Sequence, residues 1–130
     1  MHLLHHEELR RPVNRKIYLR GDFGKYPEDV CGYVASSFFA ADRYASYTTK
    51  WKSFYESGGV VIADRYTTAN MVHQASKIDD MEERDAFLSW LYQLEFEMYK
   101  IPIPDLVFFL DVPPEVTMEM TKERKNKITG

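Results

Sequence analysis

A chain of 130 residues with 45% hydrophobic and 15% aromatic side chains is the size of one domain and too apolar for a disordered segment. Its 28% charged residues leave no long uncharged apolar run, which excludes a membrane-spanning helix. With 17 basic against 20 acidic residues, the formal charge of -3 gives no general attraction to nucleic acid or an acidic lipid surface, so any anion has to be met locally. The single cysteine, Cys31, cannot form an internal disulfide. His5, His6, Glu7 and Glu8 stand where a secretory signal would carry its apolar segment. A reducing cytoplasm is therefore the expected compartment.

The start of the chain is basic, with Arg10, Arg11, Arg15, Lys16 and Arg20 against Glu7 and Glu8. Pro12 opens either a short helix through Val13, Ile17 and Leu19 or a strand at Ile17 to Leu19, and Gly21 to Pro27 reads as a loop. From Glu28 onward Val34, Phe38, Ala41, Ala45, Thr48, Trp51 and Tyr55 recur at steps of four and three, which predicts a long amphipathic helix over 28–57 ending at Gly58 and Gly59. Val60 to Ala63 is a short, mostly β-branched run, the pattern of a strand buried on both faces, and it ends in Asp64-Arg65-Tyr66.

A helix is expected over Thr67 to Lys77. A second amphipathic helix is marked by Phe87, Trp90, Leu91, Leu94 and Met98 and stopped by Pro102 and Pro104. The acidic residues Asp79, Asp80, Glu82, Glu83, Asp85, Glu95 and Glu97 read as a solvated helix face, and Met81, Met98, Met118 and Met120 as fillers of core gaps. Leu106 to Leu110 (LVFFL) predicts a second buried strand ending in Asp111. Pro113 or Pro114 then opens a last helix, with Glu115 at the positive end of its dipole. The alternation of helices and strands predicts an α/β layered fold with a parallel sheet. Ligands of such sheets bind beyond the carboxyl ends of the strands, which makes Asp64, Arg65 and Asp111 candidates by position.

Two constellations have the chemistry of a nucleotide site. Asp64 can hold a magnesium ion through water and Arg65 can clamp a phosphate, or the two can be a structural ion pair at a strand end. Phe39 and Arg43 stand four apart on one helix face. They can stack on a heterocycle and bond its edge, or be a core aromatic beside an arginine whose head reaches solvent. His2, His5 and His6 lack the further ligands of a zinc site, and Cys31 near a helix start reads as a packing residue.

Ser37-Phe38-Phe39-Ala40-Ala41-Asp42-Arg43, then Gly59-Val60-Val61-Ile62-Ala63-Asp64-Arg65-Tyr66 with Asn70 and Gln74, then Phe109-Leu110-Asp111-Val112-Pro113-Pro114-Glu115-Val116, resemble the thymidylate kinase family in order and spacing, over about Leu19 to Arg124. The resemblance implies phosphoryl transfer from ATP to dTMP with Mg2+. It implies Phe39 stacked on the thymine, Arg43 on its carbonyl edge, and Arg65 on the nucleotide phosphate. It also implies Asp64 beside the metal through water, with Asn70 and Gln74 lining the base pocket. His73 falls near the sugar, where many members have tyrosine. Asp64 and Arg65 would form the catalytic pair, whereas Asp111 reads as a strand-end cap. The helix over 28–57 resembles the one through which the family forms homodimers.

The family's phosphate loop, G-x-x-x-x-G-K-[ST], is not found among Gly21, Gly24, Gly32, Gly58, Gly59 and Gly130. Gly24-Lys25 fails because position 19 is Leu and position 26 is Tyr. The expected architecture is thus a three-layer P-loop kinase-like fold with a parallel sheet, truncated at both ends and keeping two strands. Residues 1–130 would form a single incomplete domain. Lys122 and Arg124 read either as the beginning of the family's basic lid or as solvated helix charges. The strands at 60–63 and 106–110 would flank a missing strand, leaving backbone groups to be satisfied by a longer natural polypeptide, by direct pairing, by strand exchange or by a partner subunit. The expected function is a dTMP-binding half-site that is inactive alone. The alternatives are a non-catalytic nucleotide-binding or dimerisation module, and another nucleoside or nucleotide kinase.

Overall fold

Helices dominate the computed structural model, which describes residues 20, 22–24, 26 and 29–122. Helix α1 (Gly32–Ser46) continues without a break into a π-helical turn at Tyr47–Trp51 and a last short stretch, α2 (Lys52–Glu56). The long helix expected from periodicity is therefore present. It ends as its glycines require: Gly58 adopts φ +89° and donates to Tyr55 O, while Gly59 N–H reaches back to Phe54 O. This is a Schellman cap, whose left-handed residue costs a glycine no steric penalty.

Helix α3 (Thr67–Ala75) and helix α4 (Met81–Tyr92) follow, and α4 widens into a second π-helical turn at Gln93–Met98. Asp80 caps α4 by accepting the Glu83 backbone N–H at 2.8 Å, and Glu82 and Glu83 occupy its first turn, where the helix dipole favours anions. Lys100 in a left-handed conformation (φ 53°) ends this helix just before Pro102. Helix α5 (Pro114–Lys122) begins at a proline and carries Glu115 in its first turn, in agreement with the sequence.

Two clusters hold the helices together. Ala75, Phe87 and Leu91 are buried between α3 and α4, with Tyr33 of α1 edge-on to Phe87 at 5.0 Å. Tyr47, Trp51 and Ile101 form the other, with Tyr55, Val61, Tyr66, Phe96 and Tyr99 packed around them.

The buried side of the long helix differs from the expected stripe. It runs through Ser36, Ala40, Arg43, Tyr47 and Trp51, again at steps of four and three, while Val34, Ala45 and Thr48 are exposed. Two periodic stripes share the helix, and the one that carries polar residues faces the interior. The methionines expected in the core, Met81, Met98, Met118 and Met120, are all exposed, because Met81 sits in the first turn of α4 and α5 buries none of its residues. Glu95, expected in the solvated acidic face, is fully buried. Cys31 is exposed at the head of α1 rather than packed.

No strand ladder forms among the described residues. Val60 and Ile62 are exposed and only Val61 touches the core, while Leu106 to Leu110 are exposed throughout, with Phe108, Phe109 and Leu110 above 80%. A strand buried on both faces needs a hydrogen-bonded neighbour and a layer on each side. Val61 takes part in an isolated β-bridge, but among the described residues neither segment is a strand with a layer on each side. The element expected between Pro12 and Leu19, His2, His5, His6, Lys25 and Arg124 lie outside the described residues. No helix among the described residues is long and apolar enough to cross a membrane.

Candidate functional site

Of the predicted residues, Phe39 and Arg43 lie on α1 and Asn70, His73 and Gln74 on α3, while Asp64 and Arg65 stand in the exposed bend that precedes α3. Arg43, two turns along α1 from Ser36, turns its head inward rather than to solvent. Its Nε donates to Glu95 Oε2 at 2.5 Å and its Nη2 to Glu95 Oε1 at 3.0 Å, a forked pair with a carboxylate that is fully buried. Bidentate geometry of this kind fixes the guanidinium plane as well as its position. The Tyr66 ring lies 5.5 Å from the guanidinium carbon, a cation–π contact on its face.

Asn70 of α3 ties this pair to α1. Its Nδ2 donates to Glu95 Oε1 at 3.4 Å and to Ser36 O at 3.4 Å, and its Oδ1 accepts from Ser36 Oγ at 3.3 Å. Ser36, Arg43, Asn70 and Glu95 thus form one buried polar network joining α1, α3 and the π-helical turn. Such a network specifies how the helices meet. Glu95 is the member that composition hid inside an acidic block. The signal was its place four residues beyond Leu91 and eight beyond Phe87, both fully buried.

Gln74, one turn along α3 from Asn70, is also buried, and its Oε1 has no hydrogen-bond partner. It borders a groove of about 620 Å³ between the head of α1 and the end of α3, lined also by Val30, Gly32, Tyr33, His73 and Ile78. A buried acceptor without a donor is costly, and a ligand N–H would relieve it. Phe39 is half-buried on α1, one turn before Arg43.

Asp64 and Arg65 are exposed, and Arg65 has the left-handed φ of 65°, a strained conformation for a side chain of this size. The Arg65 guanidinium Nη2 meets His73 Nε2. Asp111 is exposed and distant in sequence from any of these contacts. An exposed carboxylate such as Asp64 suits a magnesium ion that keeps its waters. No group of three or more possible ligands occurs among the described residues.

Tyr66 closes the network from the side of the aromatic cluster, donating to Pro102 O at 3.0 Å. Burial raises its phenol far above the ordinary value; the Arg43 cation pulls the other way and Glu95 adds to the rise. An unfolded tyrosine ionises near pH ~10 while the folded one stays neutral, so the stabilising difference is complete below about pH 10 and is lost as the pH climbs further. Tyr66→Phe is expected to cost about 0.5–1.5 kcal/mol at pH 7 through the lost hydrogen bond, yet to flatten the decline in stability above pH ~10. Urea midpoints between pH 7 and 11 measure both effects, and an unchanged alkaline slope would refute the second.

The family model for thymidylate kinase matches residues 25–129, and the chain belongs to the thymidylate kinase family. The family has the P-loop kinase fold. The chain is 36% identical over 89 residues to a probable thymidylate kinase of Thermococcus kodakarensis, which is 68% of this chain and 38% of that protein. A thymidylate kinase of Mycobacterium tuberculosis is 28% identical over 112 residues, 86% of this chain and 50% of that one. A probable thymidylate kinase of Pyrococcus abyssi is 34% identical over 88 residues, 68% of this chain and 38% of that one. The chain therefore spans half or less of the length of these relatives. No solved structure matches it.

Proposed function

We propose that these residues form the dTMP-binding side of a thymidylate kinase-like domain, whose full-length reaction is phosphoryl transfer from ATP to dTMP to give dTDP. The observation that carries this is the forked Arg43–Glu95 pair tied to Asn70, set on the same face of α1 as Phe39 and within a family-matched segment. The two bonds to Glu95 use two of the five guanidinium donors, and the plane they fix lets another donor meet a base carbonyl. Phe39 stacks on the ring, Asn70 and Gln74 line the pocket, and His73 lies toward the sugar. Arg65 meets the phosphate at the outer end.

Mg2+, when bound, supplies charge that offsets the developing negative charge on the transferred group. Asp64 would hold it through water. The ATP phosphates have no comparable cradle, since the 130 residues contain no G-x-x-x-x-G-K-[ST] loop. The 130-residue chain is accordingly expected to bind the nucleotide without turning it over. Its free cysteine fits a cytoplasmic setting. The second periodic stripe of the long helix, with exposed Val34, Ala45 and Thr48, suits a homodimer partner.

A panel of dTMP, dUMP, dCMP and AMP tests the assignment. Arg43 as a donor favours bases with a carbonyl at that edge, so dTMP and dUMP should bind at least about tenfold more tightly than dCMP, whose amine would face a guanidinium. Equal affinity for all four would reject the role of Arg43. Substantial ADP release from ATP and dTMP by the chain alone would reject its inactivity.

A further inference from the structure

We infer that Glu95 is a positioning residue that decides what Arg43 can receive: by balancing its charge and holding one edge of its guanidinium, it makes the base site a receptor for an uncharged carbonyl and closes it to anions. The inference rests on the nucleotide-site reading above and adds to it the residue that sets its selectivity. Glu95 is fully buried on the π-helical turn at Gln93–Met98. Its backbone is pinned there, since its carbonyl accepts the Ile101 N–H at 3.2 Å. A π-helical turn shifts the register of the side chains it carries, and such turns recur at functional sites. The carboxylate meets Arg43 side-on, through Nε and Nη2. That geometry leaves the end of the fork, Nη1 with the second N–H of Nη2, directed away from Glu95. Tyr66 lies over a face of the same group. The outer edge is thus the part from which a ligand can accept.

The balance of charge decides which ligands suit that edge. An anion approaching it meets the repulsion of the Glu95 carboxylate as well as the attraction of Arg43, and both act at short range in a site shut off from bulk water. Asp42, the residue before Arg43 on α1, is half-buried and adds charge of the same sign as Glu95. Ser36 and Asn70, the other members of the network, are uncharged. A base carbonyl loses nothing by this arrangement, because it needs only N–H dipoles held in a fixed plane. An exocyclic amine in the same place would set donors against donors.

Thymidine and deoxycytidine probe the base without a phosphate, and inorganic phosphate probes an anion without a base. The side-chain N–H signals of Arg43 report on both by magnetic resonance. In the wild type, thymidine should shift these signals saturably and bind at least about tenfold more tightly than deoxycytidine, while millimolar phosphate at constant ionic strength leaves them in place. Glu95→Gln keeps one acceptor for Arg43 but no charge. Its preference for thymidine should fall to about threefold or less, and its Arg43 signals should respond saturably to phosphate. Glu95→Asp keeps the charge but not the reach, so it should lose preference and still ignore phosphate. An undiminished preference in Glu95→Gln, an equal weakening of both nucleosides with no phosphate response, or a phosphate response in the wild type would overturn the role of Glu95 while leaving the nucleotide site in place. The last of these is read without any substitution, so it holds even if changes at position 95 unfold the chain. Failure of both dTMP and thymidine to bind the wild type would overturn the two together.

Discussion

Glu95→Ala should destabilise the protein by about 3–5 kcal/mol, the cost of leaving a buried guanidinium without its counter-charge. The Arg43 side chain is only 14% exposed and lies over the Tyr66 ring, so most of it is shut off from water that could replace the carboxylate. Asn70 loses an acceptor in the same step, and the contact between α1 and α3 loosens. Glu95→Gln should cost less, since the amide oxygen can still accept one of the two bonds. The paired change Arg43→Met with Glu95→Leu should recover most of the lost stability, because it removes both charges and fills the volume. Urea unfolding of the four proteins measures this. A loss below about 1 kcal/mol for Glu95→Ala would show that the pair is solvated and does not fix Arg43.

Trp51→Ala is the second large effect, at about 3–5 kcal/mol. Trp51 is 6% exposed at the end of the π-helical turn and is the hub of the aromatic cluster. Its ring lies 4.7 Å from Tyr47, 6.0 Å from Tyr55 and 6.3 Å from Tyr66, each in an edge-on arrangement. Aromatic pairs of this geometry contribute about 0.5–1.5 kcal/mol beyond their buried area. Because Tyr66 is both a cluster member and the face of Arg43, the substitution should also weaken dTMP binding. Trp51→Phe, which keeps an aromatic ring, should lose no more than about half as much stability. Equal losses for the two variants would show that the ring contacts are not what Trp51 contributes.

The helices were legible because their apolar spacing and their stops agree. Gly58 and Gly59 ended the long helix, Pro102 followed the end of the second, and Pro114 opened the last. The buried face of the long helix was not legible from apolarity, because it contains Ser36 and Arg43, while the more uniform stripe is only partly covered, with Val34, Ala45 and Thr48 exposed. Glu95 was hidden for the same reason: a carboxylate among carboxylates reads as surface until its register with Phe87 and Leu91 is followed. The strands were read from short apolar runs, a signal that depends on layers supplied from elsewhere in sequence. The described residues provide no such layers for 60–63 or 106–110. The family was legible from three short segments in register, and the family match over 25–129 agrees with them.

The most direct test of the dTMP-binding proposal is a titration of dTMP into the wild-type chain and into Phe39→Ala, followed by heat and by amide chemical shifts. Saturable binding is predicted for the wild type, with shifts concentrated on α1 and α3 around Phe39, Arg43 and Asn70. For Phe39→Ala the affinity should fall at least about tenfold, as expected when a stacked ring is removed. No binding to either protein, or equal binding to both, would contradict the proposal that this face of the helices receives the nucleotide base.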